Sequence, residues 1–226
     1  MSDLLRPLRR FVTDGVRVYA PRRLPWHLLA YGLTFAIVMS GLDSRIVTTF
    51  RGTEIQHLAY TAGRVGLWTP VAVPLAMLAI GLARRHDQTR RNAWLLAESE
   101  VLAAAICAAH KAVTGRPGPR SMRLATDTDT SHVFRFGFLR GGVFWGWPSS
   151  HVMVAFAGAI ALMLLYRETR FVKWLAPAYA AYMAVSVAIT FHWFSDVVAG
   201  AIIGALIGVV VGTGGPTVGD TAPTPR

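Results

Sequence analysis

The 226-residue chain is short of several things that soluble proteins use freely. It has one cysteine, Cys107, so an intrachain disulfide and a cysteine metal cluster are both excluded, and the thiol is expected simply to pack in a helix. Charged residues make up only 15% of the chain while apolar residues reach 53%, a balance too apolar for a soluble domain of this size. Lysine is almost missing: Lys111 and Lys173 are the only two, so the net charge of +11 is carried by arginine. So basic a chain invites a nucleic-acid reading, but its arginines fall in short segments between apolar runs, where a membrane protein keeps its topological charges. No nucleic-acid partner is expected. Arginine in place of lysine suits a GC-rich bacterial genome, which gives a bacterial inner (cytoplasmic) membrane as the expected location.

What the chain does have is apolar runs. A bilayer crossing takes about 20 residues, with allowance for tilt, and candidate runs recur near 26–42, 67–83, 93–113, 148–166, 171–191 and 194–213. The pattern predicts an all-α, six-span membrane domain over 26–213. It is preceded by a basic N-terminal segment, 1–25, and followed by a Gly/Pro/Thr-rich tail, 214–226, expected to be disordered. The first run follows six arginines and is read as an uncleaved span. The N-terminal segment, "ARRHDQTRRN" (83–92) and "YRETRFVKW" (166–174) are rich in basic residues, so the positive-inside bias puts them and both termini in the cytoplasm. The connections at 43–66, 114–147 and 192–194 then face outward. The connection 114–147 breaks the bias, carrying Arg116, Arg120, Arg123, Arg135 and Arg140, which suggests another use for its charge.

This topology brings three polar clusters to one face. The first is Lys111 with Arg116, in "HKAVTGRPGPR". It reads either as a snorkelling lysine with interfacial arginines or as a cationic clamp for a phosphate. The second is "GWPSSH": Pro148 and Ser149 are suited to starting and capping a helix. The amides of Ser149 and Ser150 would then form an anion site, with His151 beside it. The third is His192 with Asp196, whose i, i+4 spacing puts both on one helical face. The carboxylate would orient the imidazole and raise the basicity of its other nitrogen. Asp127 and Asp129 have only a loosely ligand-like spacing, and one short polar cluster makes a poor all-protein cage, so no metal site is expected.

Together these residues resemble the type 2 phosphatidic acid phosphatase (PAP2) superfamily of six-span lipid phosphatases, related to the vanadium haloperoxidases. The family motifs are Lys-x6-Arg-Pro, Pro-Ser-Gly-His and Ser-Arg-x5-His-x3-Asp. The resemblance covers roughly 105–205 and departs in three places. The first motif's arginine falls on Gly118, with Arg116 the nearest substitute; Ser150 stands at the Gly of the second; and the Ser-Arg pair of the third falls on Val185 and Ser186. Each lost charged hydrogen bond to a phosphate is worth about 1.5–3 kcal/mol, and Arg120, Arg135 and Arg140 of the basic connection are candidate replacements.

The resemblance implies an all-α six-helix bundle with a haloperoxidase-like core and a two-step phosphoryl transfer that needs no metal or other cofactor. His192 would be the nucleophile, Asp196 its orienting partner and His151 the general acid and base. Lys111, Arg116, Ser149 and Ser150 would hold the phosphate. The implied substrate is a lipid phosphate or diphosphate, with undecaprenyl diphosphate, phosphatidic acid and phosphatidylglycerol phosphate as candidates. The alternatives are a lipid phosphotransferase and a catalytically impaired lipid-binding protein of the same fold. The pattern specifies no protein partner and no oligomeric state.

Overall fold

The computed structural model describes residues 6–119, 129–138 and 146–214. Among these, the regular structure is helical throughout: α1 (Arg6–Val18), α2 (Leu24–Met39), α3 (Leu42–Phe50), α4 (Glu54–Gly66), α5 (Thr69–Ala83), α6 (Asp87–Thr114), α7 (Ser150–Leu165), α8 (Arg170–Ala188) and α9 (Phe194–Thr213). Each of the six apolar runs lies on one of these helices. The largest boundary difference is at α6, expected from 93 and observed from Asp87. The polar stretch "DQTRRN" continues the helix because His86 caps it, its Nδ1 accepting from the Thr89 amide at 3.3 Å.

Length separates the helices. Three of them, α6, α8 and α9, are long and apolar enough to cross a bilayer, and the pair α2 and α3, bent by 65°, makes a fourth if counted as one span. The apolar helices α5 and α7 have 15 and 16 residues, short of the roughly 20 that a full crossing takes. In α7 the reason is local: Pro148 and the capping Ser149 delay the helix until Ser150. These apolar helices make the chain a membrane protein.

The tightest association in the bundle is between α7 and α9. Four glycines recur every fourth residue along α9: Gly200, Gly204, Gly208 and Gly212. A Cβ on Gly204 would lie 2.3 Å from the Met153 carbonyl oxygen, and one on Gly208 would lie 2.6 Å from that of Ala157. Only a stripe without side chains lets the backbone of α7 settle directly on α9. Where water supplies no drive to bury apolar surface, close packing of this kind is the main source of helix association. The α7–α9 groove is lined by Met153, Ala157, Ile203 and Ile207, and α6 completes the core with Leu102, Ala103, Ile106 and Cys107. Cys107 is fully buried, packed in its helix as its isolation suggests.

Two segments carry more structure than the sequence pattern indicates. The connection 43–66 folds into α3 and α4. The basic N-terminal segment contributes α1, which packs on α6 and α9. There Asp14 is fully buried, and Arg10 Nη2 donates to the Val211 carbonyl at 3.3 Å.

Candidate active site

At one end of the bundle the glycine stripe brings the starts of α7 and α9 together. The Ser149 amide donates to the Asp196 carbonyl oxygen at 3.0 Å, tying the two starts directly. The Ser149 hydroxyl caps α7 through a long 3.5 Å bond from the Val152 amide. The stretch before it is held from two sides. Trp147 Nε1 donates to Thr34 Oγ1 of α2 at 2.9 Å, and Thr114 Oγ1 of α6 donates to the Trp147 carbonyl at 2.8 Å. The Trp147–Pro148 peptide bond is cis.

The two histidines meet at this end. His192 lies in the turn before α9, and its Nδ1 is 3.1 Å from Asp196 Oδ2. A carboxylate only accepts, so Nδ1 carries the proton and Nε2 has the lone pair. His151, in the first turn of α7, presents its ring edge-to-face to His192 at 5.6 Å between centroids and stacks on Phe191 at 5.6 Å. Lys111 Nζ, on a side chain reaching from the end of α6, donates to Ser150 Oγ at 3.2 Å. Helix geometry leaves the amides of Ser150 and His151 without intrahelical acceptors. A lysine, two first-turn amides, a nucleophilic nitrogen and a second imidazole thus converge, which is the equipment for receiving an anion and transferring a group from it.

Two sequence expectations change. Arg116 is not placed to clamp a phosphate, because its guanidinium is already occupied. Nε donates to the Ser131 carbonyl at 2.7 Å, Nη1 to Ser195 Oγ at 2.7 Å and to Asp196 Oδ1, and Nη2 to Asp43 Oδ2 at 2.6 Å. The side chain is wholly buried between the Phe134 and Trp193 rings, so it serves Asp196 instead. The second change is at Ser149, whose amide is bonded to Asp196 and does not face outward as an anion donor. Ser150 and His151 take over that position at the helix start.

Of the candidate replacement arginines only Arg135 is among the described residues, and it does not join the cluster. Arg135 is exposed. Its segment is pinned to the end of α6 by its own amide, which donates to the Thr114 carbonyl at 2.9 Å, and by the Gly137 amide, which donates to that of Ala112 at 2.9 Å. Gly115 permits this approach: its φ is +45°, and a Cβ there would sit 2.3 Å from the Arg135 carbonyl oxygen. Arg120, Arg140 and Asp127 lie outside the described residues. Asp129 accepts from the Ser131 amide at 2.8 Å. Burial pushes its carboxyl up, but the hydrogen bonds of Ser131 and Ser44 outweigh that and hold it below its ordinary value. Among the described residues, no group of three or more His, Cys, Asp or Glu side chains is arranged to hold a metal.

Of the two absent arginines, the one at Ser186 has a local explanation, whereas a Cβ on Gly118 would make only ordinary contact with its surroundings. Ser186 is buried under α4, where a Cβ on Gly63 would lie 3.7 Å from the Ser186 Cβ and 3.3 Å from the Phe191 ring. A long side chain at 186 would have to displace that helix. Gly118 faces the Phe191 carbonyl, 3.5 Å from where its Cβ would be.

Asp43 and Ser195 were not singled out by sequence reasoning. Ser195 Oγ and amide donate to Asp43 Oδ2 and Oδ1 at 2.6 and 2.8 Å, completing a buried Asp43–Arg116–Asp196 network. Its one sequence signal is an ionisable residue just beyond an apolar run, a costly place for a charge without a use.

Fold and site define a helical membrane protein with a carboxylate-oriented histidine facing a second histidine at a helix start. The chain belongs to the PAP2 superfamily, whose family model matches residues 92–217, more than half of its length. No curated protein and no solved structure matches it. Membership brings phosphatase-type chemistry on lipid phosphates as the activity class of the family.

Proposed function

We propose that the protein hydrolyses a lipid phosphate or diphosphate through a phosphohistidine on His192, at the outer face of a bacterial inner membrane. The observation that carries this reading is the His192–Asp196 bond of 3.1 Å with His151 ring-to-ring at 5.6 Å. A binding protein has no need of a nucleophile with its own orienting carboxylate.

In the first step His192 Nε2 attacks the terminal phosphorus while its bond to the leaving oxygen breaks, and protonated His151 gives that oxygen its proton. The leaving oxygen is the lipid alcohol oxygen of a monophosphate or the lipid-phosphate oxygen of a diphosphate. Asp196 keeps Nδ1 protonated and balances the positive charge that forms on the ring. In the second step His151 takes a proton from water as the water attacks the phosphohistidine, releasing phosphate and restoring both rings. Lys111 and the first-turn amides of α7 stabilise the equatorial oxygens. Undecaprenyl diphosphate, phosphatidic acid and phosphatidylglycerol phosphate are the substrates to try. Of segment 131–147, the described residues 131–138 expose Phe134, Phe136, Phe138 and Arg135, a composition suited to the headgroup layer.

The test is phosphate release by the purified protein from that lipid panel in EDTA, beside His192→Ala. Release by the parent and loss of at least about 10³-fold in the variant is the expected result. Equal release from both would remove His192 as nucleophile, and loss of parental activity in EDTA would overturn the metal-free mechanism. Gly118 and Ser186, standing where two arginines are expected, favour one second reading: a catalytically impaired lipid-binding protein. No release from any lipid would promote it. Transfer of the phosphoryl group to an added lipid alcohol instead of water would make the protein a phosphotransferase.

A further inference from the structure

Asp43 reaches the site from 152 residues away in sequence and has no role in the chemistry described above. Its two oxygens accept three hydrogen bonds, from the Ser195 amide at 2.8 Å, Ser195 Oγ at 2.6 Å and Arg116 Nη2 at 2.6 Å. Asp43, Arg116 and Asp196 are all fully buried, and Arg116 bridges the two carboxylates. Two carboxylates around one guanidinium leave a net charge of −1.

The sign of that remainder matters. When His192 attacks, the N–P bond forms, the P–O bond to the lipid breaks, and positive charge develops on the imidazole. With Arg116 alone as its partner, Asp196 would be neutralised and would offer that charge little support. With Asp43 sharing Arg116, the network keeps one negative charge beside His192, and buried charges act strongly on each other at such range. The other titratable and charged groups facing the pair are Lys111 and Cys107 of α6 and His151 of α7. Among the described residues none of these three supplies a negative charge at neutral pH. The Asp129 carboxylate, which accepts from the Ser131 amide while Arg116 Nε donates to the Ser131 carbonyl, stands one residue removed from the network.

We infer that Asp43 is a positioning residue for phosphoryl transfer: through Arg116 and Ser195 it holds Asp196 in place and leaves the network with a net negative charge toward His192. This rests on the phosphatase reading for its kinetic consequences and not for its effect on the imidazole.

The experiment compares the full-length parent with Asp43→Asn and Arg116→Gln, by phosphate release and by NMR titration of ring-labelled histidine, with His192 assigned by its substitution. In Asp43→Asn, kcat is expected to fall about 10- to 100-fold with KM within about twofold. His192 is expected to titrate at lower pH by roughly half a unit or more. In Arg116→Gln, where two carboxylates lose their cation, the titration should move to higher pH. A purely structural role would not produce shifts of opposite sign. Unchanged kcat and titration in a folded Asp43→Asn protein would overturn the inference. Should that variant fail to fold, Arg116→Lys keeps the charge and loses the planar fork; parental kcat there would also overturn it, and a drop at unchanged KM supports it. If the parent releases no phosphate from any lipid, the phosphatase reading falls, while the two NMR titrations still decide the role of Asp43.

Discussion

The bundle holds two ionic clusters at opposite ends, and they are built differently. At the site end, Arg116, Asp43 and Asp196 are all at 0% exposure, and the Arg116 Nε, Nη1 and Nη2 all donate aligned hydrogen bonds. At the other end, Arg10 lies between Asp14 and Glu98, at 3.5 and 3.0 Å, with side-chain exposures of 28, 1 and 13%. There Arg10 is close to both carboxylates but poorly aligned, its Nε and Glu98 Oε1 being buried without a hydrogen-bond partner, while Arg17 Nη1 donates to Asp14 Oδ1 at 3.0 Å. The first arrangement fixes direction as well as distance. The second only tethers α1 to α6 and α9, a job that needs attraction and not direction. The two clusters differ in how fully the central arginine is aligned and buried, more than in charge.

Deletions at each end should make the contrast measurable. The largest effect is expected for Arg116→Ala, which leaves two buried carboxylates without a cation; about 3–5 kcal/mol of stability should be lost, with phosphate release, as read by thermal unfolding and activity in detergent. A variant that unfolds with the parent would show that the network tolerates loss of its centre. Next comes Gly204→Val. It places side chain where only 2.3 Å separates a Cβ from the Met153 carbonyl oxygen. Overpacking of that kind costs about 1–3 kcal/mol, and here it should also drive the start of α7 from α9, so activity should fall further than stability predicts. At the opposite end, Arg10→Ala should cost about 1 kcal/mol, since buried Asp14 keeps its hydrogen bond from Arg17 at 3.0 Å, and should leave kcat unchanged. Glu98→Gln is expected to be the mildest, a few tenths of a kcal/mol. If either of the last two lowered kcat tenfold, the two ends would be coupled and the contrast would fail.

How far the sequence revealed this varies by element. The apolar runs of α2 and α5–α9 were legible because apolar length is a one-dimensional property. His192 and Asp196 were legible for a related reason: they are only four residues apart, close enough to meet, although His192 lies in the turn before α9 and not on the helix itself. The segment 43–66 was not, because α3 and α4 are short and mixed in composition, so no single periodic signal marks them. Arg116 was misread because its neighbours in sequence, Lys111 and Arg120, suggested a cationic cluster. Its partners Asp43, Ser195 and Asp196 lie 73 to 80 residues away. A side chain's sign can be read from sequence, and its destination cannot.

The division between the two sources of information follows from range. Sequence by itself determined a membrane-embedded helical chain, a capped helix start at "GWPSSH" and a carboxylate-oriented histidine, because each depends on residues within a few turns of one another. Only the tertiary structure decided which cation stands at the start of α7. Lys111 turns to Ser150 and Arg116 turns inward to Asp43 and Asp196. The reason is physical: a buried guanidinium has to be neutralised where it ends up, and that depends on which carboxylates the packing of α3 and α9 brings beside it.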